Sequence, residues 1–218
     1  MSTLNLMLFL DKKYIPPVAL ELLGKLQSDK TLDDFFLVGG TALALQLGHR
    51  LSIDLDFFNQ KPFDTQLLIS HLSSNYNFRA NSISTNTILG FIGETKIDFL
   101  SHQYPLVNDL IQAEGFRFGS LEDISAMKLN AIVHSGQRLK DYWDIYFLLE
   151  KMPLSRMLES YQTKYPASSP IIALKALSYF DDINQALHKP MLLRKINLSQ
   201  LKKRILQAVD QPDHVFKL

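Results

Sequence analysis

Residues 35–58, FFLVGGTALALQLGHRLSIDLDFF, leave the chain few ways to fold. Four apolar residues run into a Gly-Gly-Thr turn, Thr41–Leu47 has helical spacing, and from Arg50 the apolar residues alternate. The alternation puts Leu51, Ile53, Leu55 and Phe57 on one face of a strand, and Arg50, Ser52, Asp54, Asp56 and Phe58 on the other. The spacing predicts a short buried strand, a helix capped by Thr41 and stopped at Gly48, and a half-buried strand over 50–58.

The rest of the chain extends this pattern in two parts. Helical spacing recurs at 17–28 and 64–74, and two strands, Ile88–Ile92 and Lys96–Leu100, flank Gly93-Glu94-Thr95 as in a hairpin. After Gly119 the pattern is helical throughout. Ser120 followed by Asp123 is a capping-box-like start for Leu121–His134. Further helices are expected at 140–151, 154–164, 170–187 and 197–209, punctuated by Pro153, Pro166, Pro170 and Pro190. The chain therefore reads as α+β over residues 1–118 and helical over 119–218. A content of 46% hydrophobic and 21% charged residues permits a buried core.

Several function classes drop out early. No apolar run approaches the ~20 residues of a membrane span. The opening MSTLNLMLFLDKK lacks a basic n-region, so a cytoplasmic protein is expected. With no cysteine, disulfides, thiolate catalysis and thiolate metal sites are excluded. The six histidines lack zinc-ligand spacing, and no G-x-S-x-G elbow is present.

The polar faces carry the candidate chemistry. Asp54 and Asp56, at i and i+2, project from one strand face roughly 6–7 Å apart. They can converge on Mg²⁺, a hard cation that takes carboxylate and phosphate oxygens, or they can simply face water on an edge strand. Lys96 and Asp98 repeat the arrangement on the KIDFL strand. If the two strands are neighbours, Asp98 becomes a third carboxylate, serving as metal ligand or as base. Gly39, Gly40 and Thr41 offer backbone N–H groups at a helix N-terminus, where phosphate is favoured, although such turns also serve only to reverse the chain. Arg50 and Ser52 share the Asp54/Asp56 face as further phosphate or base contacts.

Charges also stand in unusual places in the helical part. Lys128 lies on the apolar stripe of its helix with Leu121, Ile124 and Ile132, so it must snorkel, pair with an acid or face a cleft. Asp144 sits inside YWDIYFLL, with Asp141 one turn earlier. Each can pair with Lys128 or reach a nucleotide, and Arg138 and Lys140 just ahead can meet phosphates. Residues 1–118 carry nine Lys/Arg against twelve Asp/Glu, and residues 119–218 carry fourteen against ten. The segment 183–209 holds Lys189, Arg194, Lys195, Lys202, Lys203 and Arg204 without an acid. It is either a nucleic-acid surface or a solvated amphipathic helix.

Four ordered blocks, GGTALALQLGHRLSIDLDFF (39–58), KIDFL (96–100), SLEDISAMKLNAI (120–132) and RLKDYWDIYFLL (138–149), together resemble the AbiEii/AbiGii toxin family of the nucleotidyltransferase superfamily, related to DNA polymerase β in catalytic fold. The resemblance implies a nucleotidyltransferase-like mixed β-sheet with flanking helices at 1–118 and a C-terminal helical domain at 119–218 that completes the nucleotide cleft. It implies that Gly39, Gly40 and Thr41 bind the triphosphate, that Asp54 and Asp56 hold Mg²⁺ with Asp98 as third acid, and that Lys128 contacts phosphate. Asp144, or else Asp141, would contact nucleotide. The superfamily often has Gly-Ser where this chain has Gly-Gly-Thr, which shifts the hydroxyl to Thr41.

The implied reaction is transfer of NMP from an NTP to an acceptor hydroxyl. RNA, with tRNA as the class, is the implied acceptor, in a type IV toxin–antitoxin or phage-defence setting with an antitoxin encoded by a neighbouring gene. A small-molecule or protein acceptor, or a non-catalytic nucleotide-binding protein of the same fold, are the alternatives.

Overall fold

The computed structural model describes residue 10, residues 12–184 and residues 190–217. The chain divides into two units. The first comprises the described residues of Met1–Gly48, Ser52–Gln103 and Leu110–Phe118. The second comprises those of His49–Leu51, Tyr104–Asp109 and Gly119–Leu218.

The first unit is a mixed sheet with helices. Its elements are α1 (Pro17–Gln27), β1 (Phe36–Val38), α2 (Gly39–Leu47), β2 (Leu55–Asn59), α3 (Thr65–Tyr76), β3 (Arg79–Ser84), β4 (Thr87–Ile92), β5 (Thr95–Ser101), β6 (Ile111–Ala113) and β7 (Phe116–Phe118). The seven strands lie in the order β3-β4-β5-β2-β1-β7-β6. β2 runs parallel to β5 and β1 parallel to β7, while the other pairs are antiparallel. The centre is dry: Phe57 of β2 stacks on Phe99 of β5 at 5.2 Å, and Phe35 meets the edge of Phe99. β1 is buried at every position, as its unbroken apolar run requires. In α2 the residues from Gly40 to Leu45 are all buried, so this helix is enclosed rather than amphipathic.

In this unit the local expectations fail in three places, each for a physical reason. The strand read as starting at Arg50 begins at Leu55, and Ile53, expected to face inward, is 59% exposed. Before Leu55 the backbone finds partners outside the ladder: the Ser52 N–H donates to the Tyr14 carbonyl at 3.0 Å, and the Thr41 hydroxyl takes the Asp54 carbonyl. Thr41 is not the N-cap of α2. The helix begins at Gly39, with Val38 at the cap and no side-chain hydrogen bond there. Strands β3, β6 and β7 had no alternation to find them, because β3 (RANSIS) is exposed along its whole length and the other two are three residues each. Gly48 does stop α2, in the left-handed conformation at φ 61°.

The second unit holds α4 (Leu121–His134), α5 (Leu139–Leu148), α6 (Leu154–Lys164), α7 (Pro170–Ser178) and α8 (Leu198–Asp210). Ser120 caps α4 by accepting from the Asp123 N–H at 3.0 Å, and its hydroxyl donates to Asp123 Oδ2 at 2.6 Å. Asp123 also binds Lys164 at 2.7 Å and accepts the N–H groups of Val107 and Asn108, which ties segment 104–109 to the helices. Segment 49–51 is bridged to residues 191–193 through Leu51 N–H to the Met191 carbonyl and Leu193 N–H to the His49 carbonyl. α7 ends at Ser178, short of the expected residue 187; residues 185–187 lie outside those described. Tyr179 is extended, and its carbonyl is taken by the Tyr142 hydroxyl at 3.0 Å, so it is spent on a tertiary bond.

Candidate active site

In the sheet unit the carboxylates gather on one face. Parallel register sets Asp56 of β2 beside Asp98 of β5, on neighbouring strands about 4.8 Å apart. This supplies the adjacency that sequence spacing left open. Asp54 immediately precedes β2. The Asp56 carboxylate lies against Gly39, whose φ of 70° is in the left-handed region; a Cβ there would collide with Asp56 Oδ2. Glycine is thus required twice over, for the backbone angle and for the carboxylate.

Thr41 is fully buried and its hydroxyl is committed. A carbonyl can only accept, so the single Thr41 proton goes to the Asp54 carbonyl, and Ser52 Oγ, at 2.9 Å, shares Thr41 Oγ1 from its other side. The Thr41 hydroxyl thus fixes the backbone that carries Asp54, with Ser52 beside it.

Lys96 completes this group. Its ammonium is 2.5 Å from Asp98 Oδ2, while Asp98 Oδ1 is buried without a hydrogen-bond partner among the described residues. Burial lowers the Lys96 pKa, but the hydrogen bond and charge of Asp98, with the charges of Asp56 and Asp54, outweigh it and leave the pKa raised. Sequence put Lys96 on this face and gave it no role; its place two residues before Asp98 was the available signal. The donor set, hard carboxylate oxygens with one left unpartnered, suits Mg²⁺. No cluster of three His or acidic side chains already positioned to hold a metal occurs among the described residues, and the Lys96 ammonium sits on Asp98.

The helical unit brings together a second set of expected residues, around Asp144. Arg50 holds its carboxylate with two nitrogens, Nε to Oδ1 at 2.7 Å and Nη2 to Oδ2 at 3.1 Å. Lys128 Nζ lies 2.7 Å from Oδ2, and His49 Nε2 is 2.8 Å from Oδ1. Lys128 also binds Asp141 at 2.7 Å, and Arg138 reaches the other Asp141 oxygen at 3.1 Å. Every one of these groups except Arg138 is buried. Burial alone would raise the Asp144 pKa, but Arg50 and Lys128 hold it well below the usual carboxylate range. The same burial pushes His49 down, against the pull of Asp144 and with the push of Arg50 and Lys128. Lys128 is likewise desolvated, yet Asp141 and Asp144 keep its pKa raised. Of the readings sequence left open for Lys128, the structure takes the acid pair. His49, noted in the sequence only as one of six histidines without zinc-ligand spacing, is a further member.

The basic segment is partly consumed. Arg194 binds both oxygens of Glu150 at 2.7 and 2.6 Å, and Arg204 adds a contact at 2.5 Å. Lys202 sits over the Phe180 ring at 5.2 Å, and Lys189 lies outside the described residues.

An uncharacterized protein of Aquifex aeolicus (strain VF5) is 32% identical over 179 residues, which cover 78% of this chain and 84% of the relative. The family model described as nucleotidyl transferase AbiEii toxin, type IV TA system, matches residues 21–114, the stretch that holds Gly39, Asp54, Asp56 and Asp98. The chain belongs to the AbiEii nucleotidyltransferase toxin family. Two solved structures, a candidate nucleotidyltransferase from H. pylori and JHP933 from Helicobacter pylori, share the fold. Each superposes with a TM-score of 0.53 at 18% identity, over 91% of this chain and over 96% and 93% of theirs. In this AbiEii chain the carboxylate face is built by β2 and β5, with Gly39 admitting Asp56 beside the start of α2. No helix among the described residues is long and apolar enough to cross a membrane.

Proposed function

We propose that this chain is a Mg²⁺-dependent nucleotidyltransferase that moves NMP from an NTP to a hydroxyl of RNA, with tRNA as the acceptor class, and acts as a type IV toxin in the cytoplasm. The observation that carries the reading is the parallel register of Asp56 with Asp98, which sets two acids side by side next to Asp54. Asp54, Asp56 and Asp98 would hold the metal, which when bound neutralises charge on the triphosphate and the attacking oxygen. Asp98 Oδ1, buried and unpartnered, is the oxygen to receive the proton of the acceptor hydroxyl. The acceptor oxygen bonds to the α-phosphorus as the bond to the pyrophosphate oxygen breaks. Gly39 and Gly40 present backbone N–H groups at the start of α2 to phosphate. Thr41 and Ser52 act indirectly by fixing the Asp54 backbone. Within the helical unit, Asp144 holds Arg50 and Lys128, and Lys128 also holds Asp141.

The discriminating experiment incubates the protein with Mg²⁺, each labelled NTP in turn, and total tRNA. Label is expected in RNA, and removal of Mg²⁺ by chelation is expected to abolish it. The use of Arg194 and Arg204 on Glu150 favours a second reading, a small-molecule or protein acceptor that needs fewer phosphate contacts. Label in that fraction and none in RNA would establish it. An antitoxin encoded by a neighbouring gene, and a defence role, follow from the toxin reading. Growth arrest on expression, relieved by co-expression of that gene, is the expected result.

A further inference from the structure

We propose that Lys96 is a built-in counter-ion of the carboxylate face, which a divalent cation must displace from Asp98 before the site can be loaded. The inference rests on the metal reading above. Lys96 and Asp98 stand two residues apart on β5, so both side chains leave the same face of the strand. The ammonium contacts Asp98 Oδ2 at 2.5 Å and leaves Oδ1 buried and unpartnered, so the carboxylate is neutralised on one oxygen only.

Register places Asp56 beside Asp98, and Asp54 and Asp56 both act electrostatically on Lys96, so one cation serves three acids. Lys96 is tethered by a flexible stem and its side chain is 43% exposed, against 11% for Asp98. It can therefore swing toward solvent, whereas Asp98 is fixed in the sheet. A mobile monovalent cation over fixed acids has two consequences. It lowers the repulsion among the carboxylates, and by competing for the same oxygens it opposes entry of a second cation.

The test uses Mn²⁺ as the probe, titrated into wild-type protein, Lys96→Met and Lys96→Arg, with binding read by water-proton relaxation and folding by thermal melts. Lys96→Met is expected to bind Mn²⁺ about tenfold more tightly than wild type, the effect of one nearby charge at a partly exposed site. Its metal-free melting temperature is expected to fall, and to rise further on metal addition than that of wild type. Lys96→Arg keeps the charge and is expected to bind no more tightly than wild type. Acylation of Lys96 in wild type, read by peptide mass spectrometry, is expected to speed up when Mn²⁺ is added, because the ammonium leaves its carboxylate. Equal Mn²⁺ affinity in wild type and Lys96→Met, with acylation unchanged by metal, overturns the counter-ion role and leaves the metal reading standing. Absence of Mn²⁺ binding in all three proteins overturns the metal reading, and this inference with it.

Discussion

Asp56 and Asp144 are both aspartates among apolar neighbours, and their surroundings give them opposite work. Asp56 is half-buried beside Asp98, so removing it takes away one of two neighbouring like charges. Asp56→Ala is expected to abolish Mg²⁺-dependent NTP turnover while the urea midpoint stays at or above that of wild type. Undiminished turnover would take Asp56 out of the site. Asp144 is fully buried and accepts from three cationic or imidazole partners, so Asp144→Ala takes the carboxylate from Arg50 and His49 and leaves Lys128 with Asp141. That substitution is expected to cost about 3–5 kcal/mol in urea unfolding. The pH dependence follows from the same contacts. The unfolded chain protonates His49 near its ordinary value of about 6.5, and the folded chain only at lower pH, so stability should decline as pH falls below ~6.5. Asp144, held well below the carboxylate range, adds a further loss only below about pH 4. Urea midpoints between pH 8 and pH 5 check this: His49→Gln should flatten the upper slope.

Among the elements, the ends of α2 and β2 control the site. Gly39→Ala forces both a positive φ and a clash with the Asp56 carboxylate, so turnover is expected to fall at least a hundredfold while far-ultraviolet circular dichroism is kept. The backbone cost is about 1–2 kcal/mol. Thr41→Val removes the donor to the Asp54 carbonyl and is expected to cost about 1–3 kcal/mol and slow turnover, with Thr41→Ser restoring both. Much of this level was legible beforehand. Helix α4 and its Ser120 cap, α6, and the β4–β5 hairpin fall where periodicity and turn chemistry put them, because these depend on neighbours a few residues away. The start of β2 did not, because Tyr14 and Thr41, distant in sequence, take the hydrogen bonds that a ladder over 50–54 would have used.

For the whole molecule, the proposed RNA acceptor would have to be met by the charges that remain. With Arg194 and Arg204 on Glu150, Lys195, Lys202 and Lys203 remain as phosphate contacts in the described part of the basic segment. Affinity for tRNA is accordingly expected to fall with salt at a slope of about −2 to −3 in log–log form, measured by filter binding between low and moderate salt. A slope near zero would remove this segment from the acceptor surface. The sequence by itself determined that acids alternate with apolar residues on two strands, that glycines precede a helix, and that Lys128 and Asp144 sit among apolar neighbours. Those are properties of local spacing, which the chain carries whatever its fold. Only the tertiary structure decided that Asp56 stands beside Asp98, that Lys96 is their cation, and that His49 and Arg50 close on Asp144. Each of those joins residues through strand register or helix packing, and no local periodicity encodes which distant carboxylate a buried cation will meet.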